Sequence, residues 1–283
     1  MHVLIATMLI FASAAGPLQD YGTHGGMERM TCPIGGERFE ALVTNHYSTF
    51  GARPDGKPLS YWFVPLPLPE CPSNGFVVFD DFTPEQIAAL TPLVGSAEYR
   101  TMVGRDSTYY RAQWLATRIG MPEREALWML LVATWQVKPQ TAPTGQPMPS
   151  PEKAEQYQQE FVARVRALPP QPEDEEYLLL YLRAANAERE LGRFDSARAM
   201  LGQLDEWTDD PDKEAFATGL AAVIEREDRS EEPLDMLDHD HAASLCLEGL
   251  VPETEFNQAF CGRSDIRERM EEIRRARVDG PRL

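Results

Sequence analysis

The sequence predicts a mainly α-helical protein with a small β module near its N-terminal end. Residues 32–83 contain two Cys-Pro turns and short apolar runs interrupted by proline, which is typical of short strands. From Thr83 onwards, apolar residues recur every three or four positions, and helix start and stop signals delimit each segment. The predicted organisation is a signal peptide (1–15), a linker (16–31), the β module (32–83) and a helical domain (84–283).

The N-terminal segment indicates export. Residues 3–15 form an uncharged apolar run that ends in Ala12-Ser13-Ala14-Ala15. This run has the length of a signal-peptide core followed by a cleavage site, and it is too short to span a bilayer. Only Met1 and His2 precede it, so the usual basic residues are missing. We expect a bacterial periplasmic or secreted protein, and the alternative is a buried N-terminal strand or helix.

The charge of the chain excludes some classes of partner. The 283 residues carry a formal net charge of −18. An acidic surface repels nucleic-acid phosphates and anionic lipids, and the sequence has no basic stripe. We therefore expect no nucleic-acid partner, and no stable membrane insertion after signal cleavage.

Two short turns in the β module resemble zinc knuckles. A zinc knuckle has the pattern CPxCG, in which two cysteines bind one zinc ion. Two segments follow this pattern except at the second cysteine: Cys32-Pro33-Ile34-Gly35-Gly36, where Gly35 replaces it, and Cys71-Pro72-Ser73-Asn74-Gly75, where Asn74 replaces it. Glycine has no side chain, and an amide oxygen is a poor zinc ligand beside thiolate, so half of the tetrahedral donors are missing. We expect a degenerate zinc-ribbon-like module with no bound metal and no other cofactor.

Export also changes the expected state of the four cysteines. In an oxidising compartment an even number of cysteines is commonly paired, and four cysteines allow three pairings. In a zinc ribbon the first cysteines of both knuckles meet at one ion, so without the ion a small adjustment joins them. We therefore predict the disulfides Cys32–Cys71 and Cys246–Cys261. The alternative is four free buried thiols in a cytosolic protein.

The remaining elements follow from local signals. Strand-type runs are predicted at 39–43 and 76–79, and 61–69 is an aromatic run followed by alternating prolines that suit no central strand. Thr83-Pro84-Glu85 predicts the start of the first helix. Further helical segments are predicted at 109–119, 122–135, 152–168, 173–203, 242–245 and 266–277, with an exposed Pro-rich loop at 139–151.

The segment 173–203 resembles one tetratricopeptide repeat, a helix-turn-helix unit of 34 residues. Tyr181, Ala184 and Ala185 stand at its packing positions in the first helix, Gly192 gives the turn, and Ala197 and Leu201 line the second helix. A looser copy covers 108–136. A single repeat cannot bury its own faces, so neighbouring helices must stack on it. The alternative, an ordinary helical hairpin in a bundle, stays open.

The order of knuckles and helices resembles the bacterial family called domain of unknown function 2225. Its members carry CPxCG followed by Phe, then CPxCGY and a short apolar run that ends in Phe. The chain matches this pattern at Cys32-Pro33, Gly36, Phe39, Cys71-Pro72, Gly75-Phe76, Phe79 and Phe82, and its stretch 126–135 is similar to the helix that follows. The resemblance implies a ribbon module followed by repeat-like helices, and it implies no activity.

Two polar runs are candidate sites. Asp238-His239-Asp240-His241 contains four possible metal ligands, but adjacent side chains diverge on a helix or a strand, so at most two reach one ion. A solvated loop is the expected structure. His2, His24 and His46 show no ligand spacing. The acidic run 173–176 begins a predicted helix, where the helix dipole favours negative charge.

These observations favour binding over catalysis. No nucleophile–base arrangement can be assembled, so we predict no catalytic or cofactor-binding residue. Stacked helix pairs commonly hold peptide segments, and we expect an exported scaffold with a protein or peptide partner. The alternative is a periplasmic hydrolase or metal-dependent enzyme that uses His239 or His241. An enzyme should show a pocket with convergent polar groups, and a scaffold an open groove or an apolar patch.

Overall fold

A computed structural model describes residues 26–44, 47–60, 63–138, 150–204 and 211–279. The strands in these ranges are β1 (Gly26–Thr31), β2 (Arg38–Val43), β3 (Gly51–Ala52) and β4 (Pro58–Leu59). The helices are α1 (Pro84–Val94), α2 (Ala97–Met102), α3 (Thr108–Arg118), α4 (Glu123–Val137), α5 (Pro151–Ala167), α6 (Glu175–Glu190), α7 (Phe194–Leu204), α8 (Pro211–Glu225), α9 (His239–Glu248), α10 (Glu255–Cys261) and α11 (Ser264–Asp279). The fold is mainly helical with a small antiparallel β module, as predicted.

Several predictions lie outside the described residues. They are the signal peptide at 1–15, the first part of the linker, the three histidines His2, His24 and His46, and most of the Pro-rich loop. Within the described ranges, every helix is too short or too polar to cross a bilayer.

The β module consists of two hairpins. β1 pairs with β2 along its whole length, from Gly26 opposite Val43 to Thr31 opposite Arg38, so the predicted linker is wrong over 26–31. β3 pairs with β4 in a second, shorter hairpin. The predicted strand at 76–79 is also wrong, because only one isolated bridge forms, between Glu70 and Val77. The segment that faces 76–79 contains prolines at 65, 67 and 69, and proline has no backbone N–H to donate to a neighbouring strand.

The knuckles share a core with the first three helices. Phe76, Val77, Leu90 and Leu115 are fully buried in one apolar cluster that also contains both knuckle cysteines. Helix α1 starts as predicted: the Thr83 side chain accepts from the backbone N–H of Gln86, whose side chain in turn accepts from the N–H of Thr83. The β module and the helices are therefore joined by apolar packing as well as by the chain.

Helices α3 to α8 form a continuous stack. Each packs against the next, and α4 also contacts α6 while α6 contacts α8, so these three helices form one layer. The predicted turns lie at Gly120 and Gly192, with φ of 76° and 75°. Positive φ suits glycine at a helix C-terminus. The predicted helix pairs are present, and their assignment as tetratricopeptide repeats stays a prediction.

The C-terminal helices α9, α10 and α11 form a small separate cluster whose buried residues include Leu234 and Ile266. The run 238–241 is not the predicted loop: Asp238 is the N-cap of α9, and its carboxylate accepts from the N–H of Asp240 at 2.9 Å. Aspartate is among the best N-cap residues, which explains why a helix begins there. The predicted helix at 266–277 lies within α11.

Candidate functional site

The two histidines of α9 point to different partners. His239 Nε2 lies 3.3 Å from a carboxylate oxygen of Asp265, and His241 Nε2 lies 3.1 Å from one of Glu232. Residues two positions apart on a helix face different directions, so the two imidazoles do not share a site. The structure does not bring together the histidines of the alternative metal site.

The two knuckles face each other as predicted. The Cα atoms of Cys32 and Cys71 are 5.6 Å apart, and the sulfur atoms are at disulfide distance. Both cysteines are buried, with at most 1% of their surface exposed. The two turns have the same backbone hydrogen bonds, Gly36 N–H to the Cys32 carbonyl and Gly75 N–H to the Cys71 carbonyl. The knuckle geometry therefore persists with only one cysteine in each turn.

Polar contacts connect the knuckles beside the disulfide. The Glu37 carboxylate accepts from the Ser73 backbone N–H at 3.0 Å and from its hydroxyl at 2.6 Å. The Asn74 amide donates to the Ile34 carbonyl at 2.7 Å and accepts from the Phe76 N–H at 2.9 Å. The Ser73 hydroxyl lowers the pKa of Glu37. Asn74, at a missing ligand position, thus has a structural role of its own.

Glu37 was not predicted as a site residue. Among the described residues, Cys32, Glu37 and Cys71 are the only group of three ligand-type side chains whose donor atoms all lie within 4.8 Å of one another. The sequence spacing gave no signal for this carboxylate, because it lies outside the Cys-x-x-Cys positions and reaches the sulfurs from the end of the first turn.

The second predicted pair is also present. Cys246 in α9 and Cys261 at the end of α10 have Cα atoms 5.6 Å apart and sulfur atoms at disulfide distance. No cysteine in the described residues is free.

A second candidate site lies where the β3–β4 hairpin enters the helical stack. Residues 53–57 form its tip, and we call them the hairpin tip. The charged residues Arg53, Asp55 and Lys57 all belong to it, and each is at least 95% buried. Lys138, at the end of α4, donates to Asp55 and to Glu190 of α6, at 2.6 Å each. The tip is thus bound by ion pairs to two helices of one layer.

Further contacts complete this buried charge cluster. Arg53 pairs with Glu231 and lies 3.7 Å from Asp55. Arg183 of α6 donates to the Pro54 carbonyl at 2.7 Å. A side chain in place of Gly56 would be strained, because φ is 86° there and an added Cβ would lie 2.9 Å from Arg183.

Electrostatics explains how these charges persist in the core. Burial alone would raise the pKa of Asp55, but Lys138 and Arg53 outweigh it and hold that pKa well below the usual range. Burial opposes the charge on Lys138, and Asp55 and Glu190 nevertheless raise its pKa. Lys57 differs, because burial lowers its pKa to about 8 and Arg53 acts in the same direction.

The charge cluster positions the hairpin. Its acids and bases pair mainly with one another. The hairpin tip lines neither the surface depression beside α6 and α7 nor the one beside β2. The sequence Arg53-Pro54-Asp55-Gly56-Lys57 signals a turn, and turns are usually exposed. Its burial could therefore not be predicted from sequence.

Among the residues that the structure describes, two surface depressions are binding candidates. The larger, which we call the α6–α7 groove, has a volume of about 620 Å³, and its walls include Leu168, Tyr177, Tyr181 and Met200. The smaller is about 300 Å³ and lies beside β2 and the prolines of 65–69.

Comparisons with protein-family models, curated proteins and solved structures find no match for this chain. Its family membership stays a prediction. The function must therefore be argued from the two paired knuckles, the helical stack and the groove.

Proposed function

We propose that this chain is an exported scaffold that binds an extended segment of another protein. The observation that carries the proposal is the α6–α7 groove, an open depression on a continuous stack of helices. Stacks of helix pairs commonly hold peptides in such grooves. Within the described residues, the candidate metal histidines are separated and the buried charges pair among themselves, which favours binding over catalysis.

The groove chemistry indicates the type of segment. Tyr177 and Tyr181 are neighbours on α6, with ring centroids 5.8 Å apart, and they form the buried floor of the groove with at most 5% of their surface exposed. Met200 is also part of this buried floor, Leu168 is a partly exposed aliphatic wall, and Arg166 provides an exposed cation at the rim. Such a mixture suits an extended peptide whose apolar side chains enter the groove while its carbonyl groups meet the arginine. Because the whole chain is acidic, a neutral or basic partner is favoured.

Export and ancestry belong to the same proposal. Two cysteine pairs at disulfide distance are typical of oxidising compartments, which supports secretion or a periplasmic location. The facing knuckle turns followed by stacked helices support placing the chain as an exported relative of the bacterial family named above.

Photo-crosslinking tests the groove. A photoreactive amino acid at exposed Ala199, in the groove, should give one adduct of defined mass in the native host, whereas the same residue at exposed Arg274 of α11 should give none. Excess unlabelled chain should suppress the adduct. The Ala199→Trp chain should fail to suppress it, because the indole fills the groove. Equal adducts at both positions, or full competition by Ala199→Trp, would contradict the proposal.

A further inference from the structure

The knuckle pair holds more than a disulfide. Three donor groups, two sulfurs and the carboxylate of Glu37, come within 4.8 Å of one another at a single point between the turns. Two thiolates and one carboxylate form a donor set that zinc accepts in proteins, with Zn–S bonds near 2.3 Å and Zn–O bonds of about 2.0–2.2 Å. In the oxidised chain the sulfurs bond to each other, so only the carboxylate is available as a ligand.

We propose that reduction of the Cys32–Cys71 disulfide converts the knuckle pair into a site for one zinc ion, with Cys32, Cys71 and Glu37 as protein ligands. A dithiol reductant supplies two electrons and two protons and becomes a disulfide itself, which leaves two thiols on the chain. Zinc binding then releases both thiol protons, and solvent completes the coordination.

The turns are built to remain in place when the disulfide opens. Each has its own backbone hydrogen bond across the knuckle, and the contacts of Glu37 with Ser73 and of Asn74 with Ile34 join the two turns independently of the sulfurs. The sulfurs need to move apart only to the distance of about 4 Å that two Zn–S bonds span.

Charge favours occupation of the site by a cation. Once the disulfide is reduced, the site gathers one carboxylate and two sulfur donors within 4.8 Å of one another. A divalent cation bound there would neutralise the carboxylate and both thiolates together.

Metal titration of the full-length chain tests the proposal. The oxidised protein and the protein reduced with a water-soluble phosphine are each titrated with cobalt(II), whose thiolate complexes absorb light, and then with zinc(II) as a competitor. The phosphine delivers the same two electrons and ends as phosphine oxide, with its oxygen from water. We expect one equivalent of cobalt with a thiolate absorption band in the reduced protein, displaced by zinc, and neither in the oxidised protein.

Matched variants assign the ligands. Cys246→Ser/Cys261→Ser should bind as the unchanged chain does, and Cys32→Ser/Cys71→Ser should show no thiolate band. Glu37→Gln can still accept from Ser73 but should weaken binding at least tenfold, whereas Glu40→Gln on β2 should not. Circular dichroism checks that each variant is folded, and Glu37→Asp serves as a second variant if Glu37→Gln is not.

Four results would overturn the proposal. They are equal binding by oxidised and reduced protein, a thiolate band that survives the loss of Cys32 and Cys71, unchanged affinity in Glu37→Gln, and a disulfide that becomes reducible only when the chain unfolds.

Discussion

Lys138 makes the central contact between the hairpin tip and the helices. Its side chain is 98% buried, and its ammonium group pairs with two carboxylates from different elements, Asp55 and Glu190. Lys57 is also buried, but burial lowers its pKa, whereas the pKa of Lys138 is raised. The two lysines therefore form a natural pair for testing which buried charge stabilises the fold.

Replacing Lys138 should destabilise the protein strongly. Lys138→Met leaves Asp55 and Glu190 as buried carboxylates without their ammonium partner, and such losses cost about 3 to 5 kcal/mol. Lys57→Met removes a cation that burial already disfavours, so the free energy of unfolding should stay the same or rise. Urea denaturation followed by circular dichroism measures both. A loss of equal size in the two variants would show that the distinction is wrong.

Lys57 should also give the stability a measurable pH dependence. Its pKa is about 8 in the folded chain against an ordinary value of 10.5, so the unfolded chain holds this proton more tightly. Below pH 8 Lys57 is protonated in both states and adds no pH dependence. Between pH 8 and pH 10.5 the folded chain has released the proton and the unfolded chain has not, so the free energy of unfolding rises with pH. Between pH 7 and pH 10 the unchanged chain should gain about 2 kcal/mol relative to Lys57→Met. Parallel pH curves would argue against the lowered pKa.

Secondary-structure elements were predictable where local signals decide them. The capping residues of α1 and the turn glycines Gly120 and Gly192 act within a few positions of the chain, so their effects are visible in sequence. The β3–β4 hairpin differs, because its charged tip is stabilised by Lys138 and Glu190, which are distant in sequence. The contribution of Glu37 to the knuckle pair is likewise visible only once the turns face each other.

The two disulfides should stabilise different elements. Cys246→Ser/Cys261→Ser opens a loop with a sequence separation of 15 and should cost about 3 kcal/mol. Faster hydrogen exchange should be confined to the C-terminal cluster of α9 to α11, because that cluster has its own small core. Native-state hydrogen exchange measures this directly. Faster exchange in α4 and α6 as well would show that the cluster and the stack unfold together.

The whole molecule is more interlocked than its sequence suggests. The predicted division at residue 84 separates a β module from helices, yet Phe76 and Val77 pack against Leu90 and Leu115 across it. The hairpin tip adds a second connection to α4 and α6. Sequence patterns reveal where elements begin, but they do not reveal which buried groups from distant segments meet.

The helices should therefore not fold normally alone. In a chain of residues 84–283, Lys138 and Glu190 lose Asp55, and the first three helices lose the apolar side chains of the knuckles. We expect a broad, low-temperature thermal transition and a smaller circular dichroism signal per residue than in residues 26–283. A cooperative transition at the same temperature in both chains would show that the helical part is independent.

The Cys32–Cys71 bond also determines how the molecule bears mechanical load. The hairpin tip lies inside the covalent ring that this bond closes, with a sequence separation of 39 between the cysteines. Tension applied at the N-terminal end passes from Cys32 directly to Cys71 and bypasses the strands that carry the tip. The docked hairpin is thus shielded from pulling while the bond is intact. After reduction of the bond, roughly 130 Å of chain would extend under tension, but only once the contacts between the turns and those of the docked hairpin break.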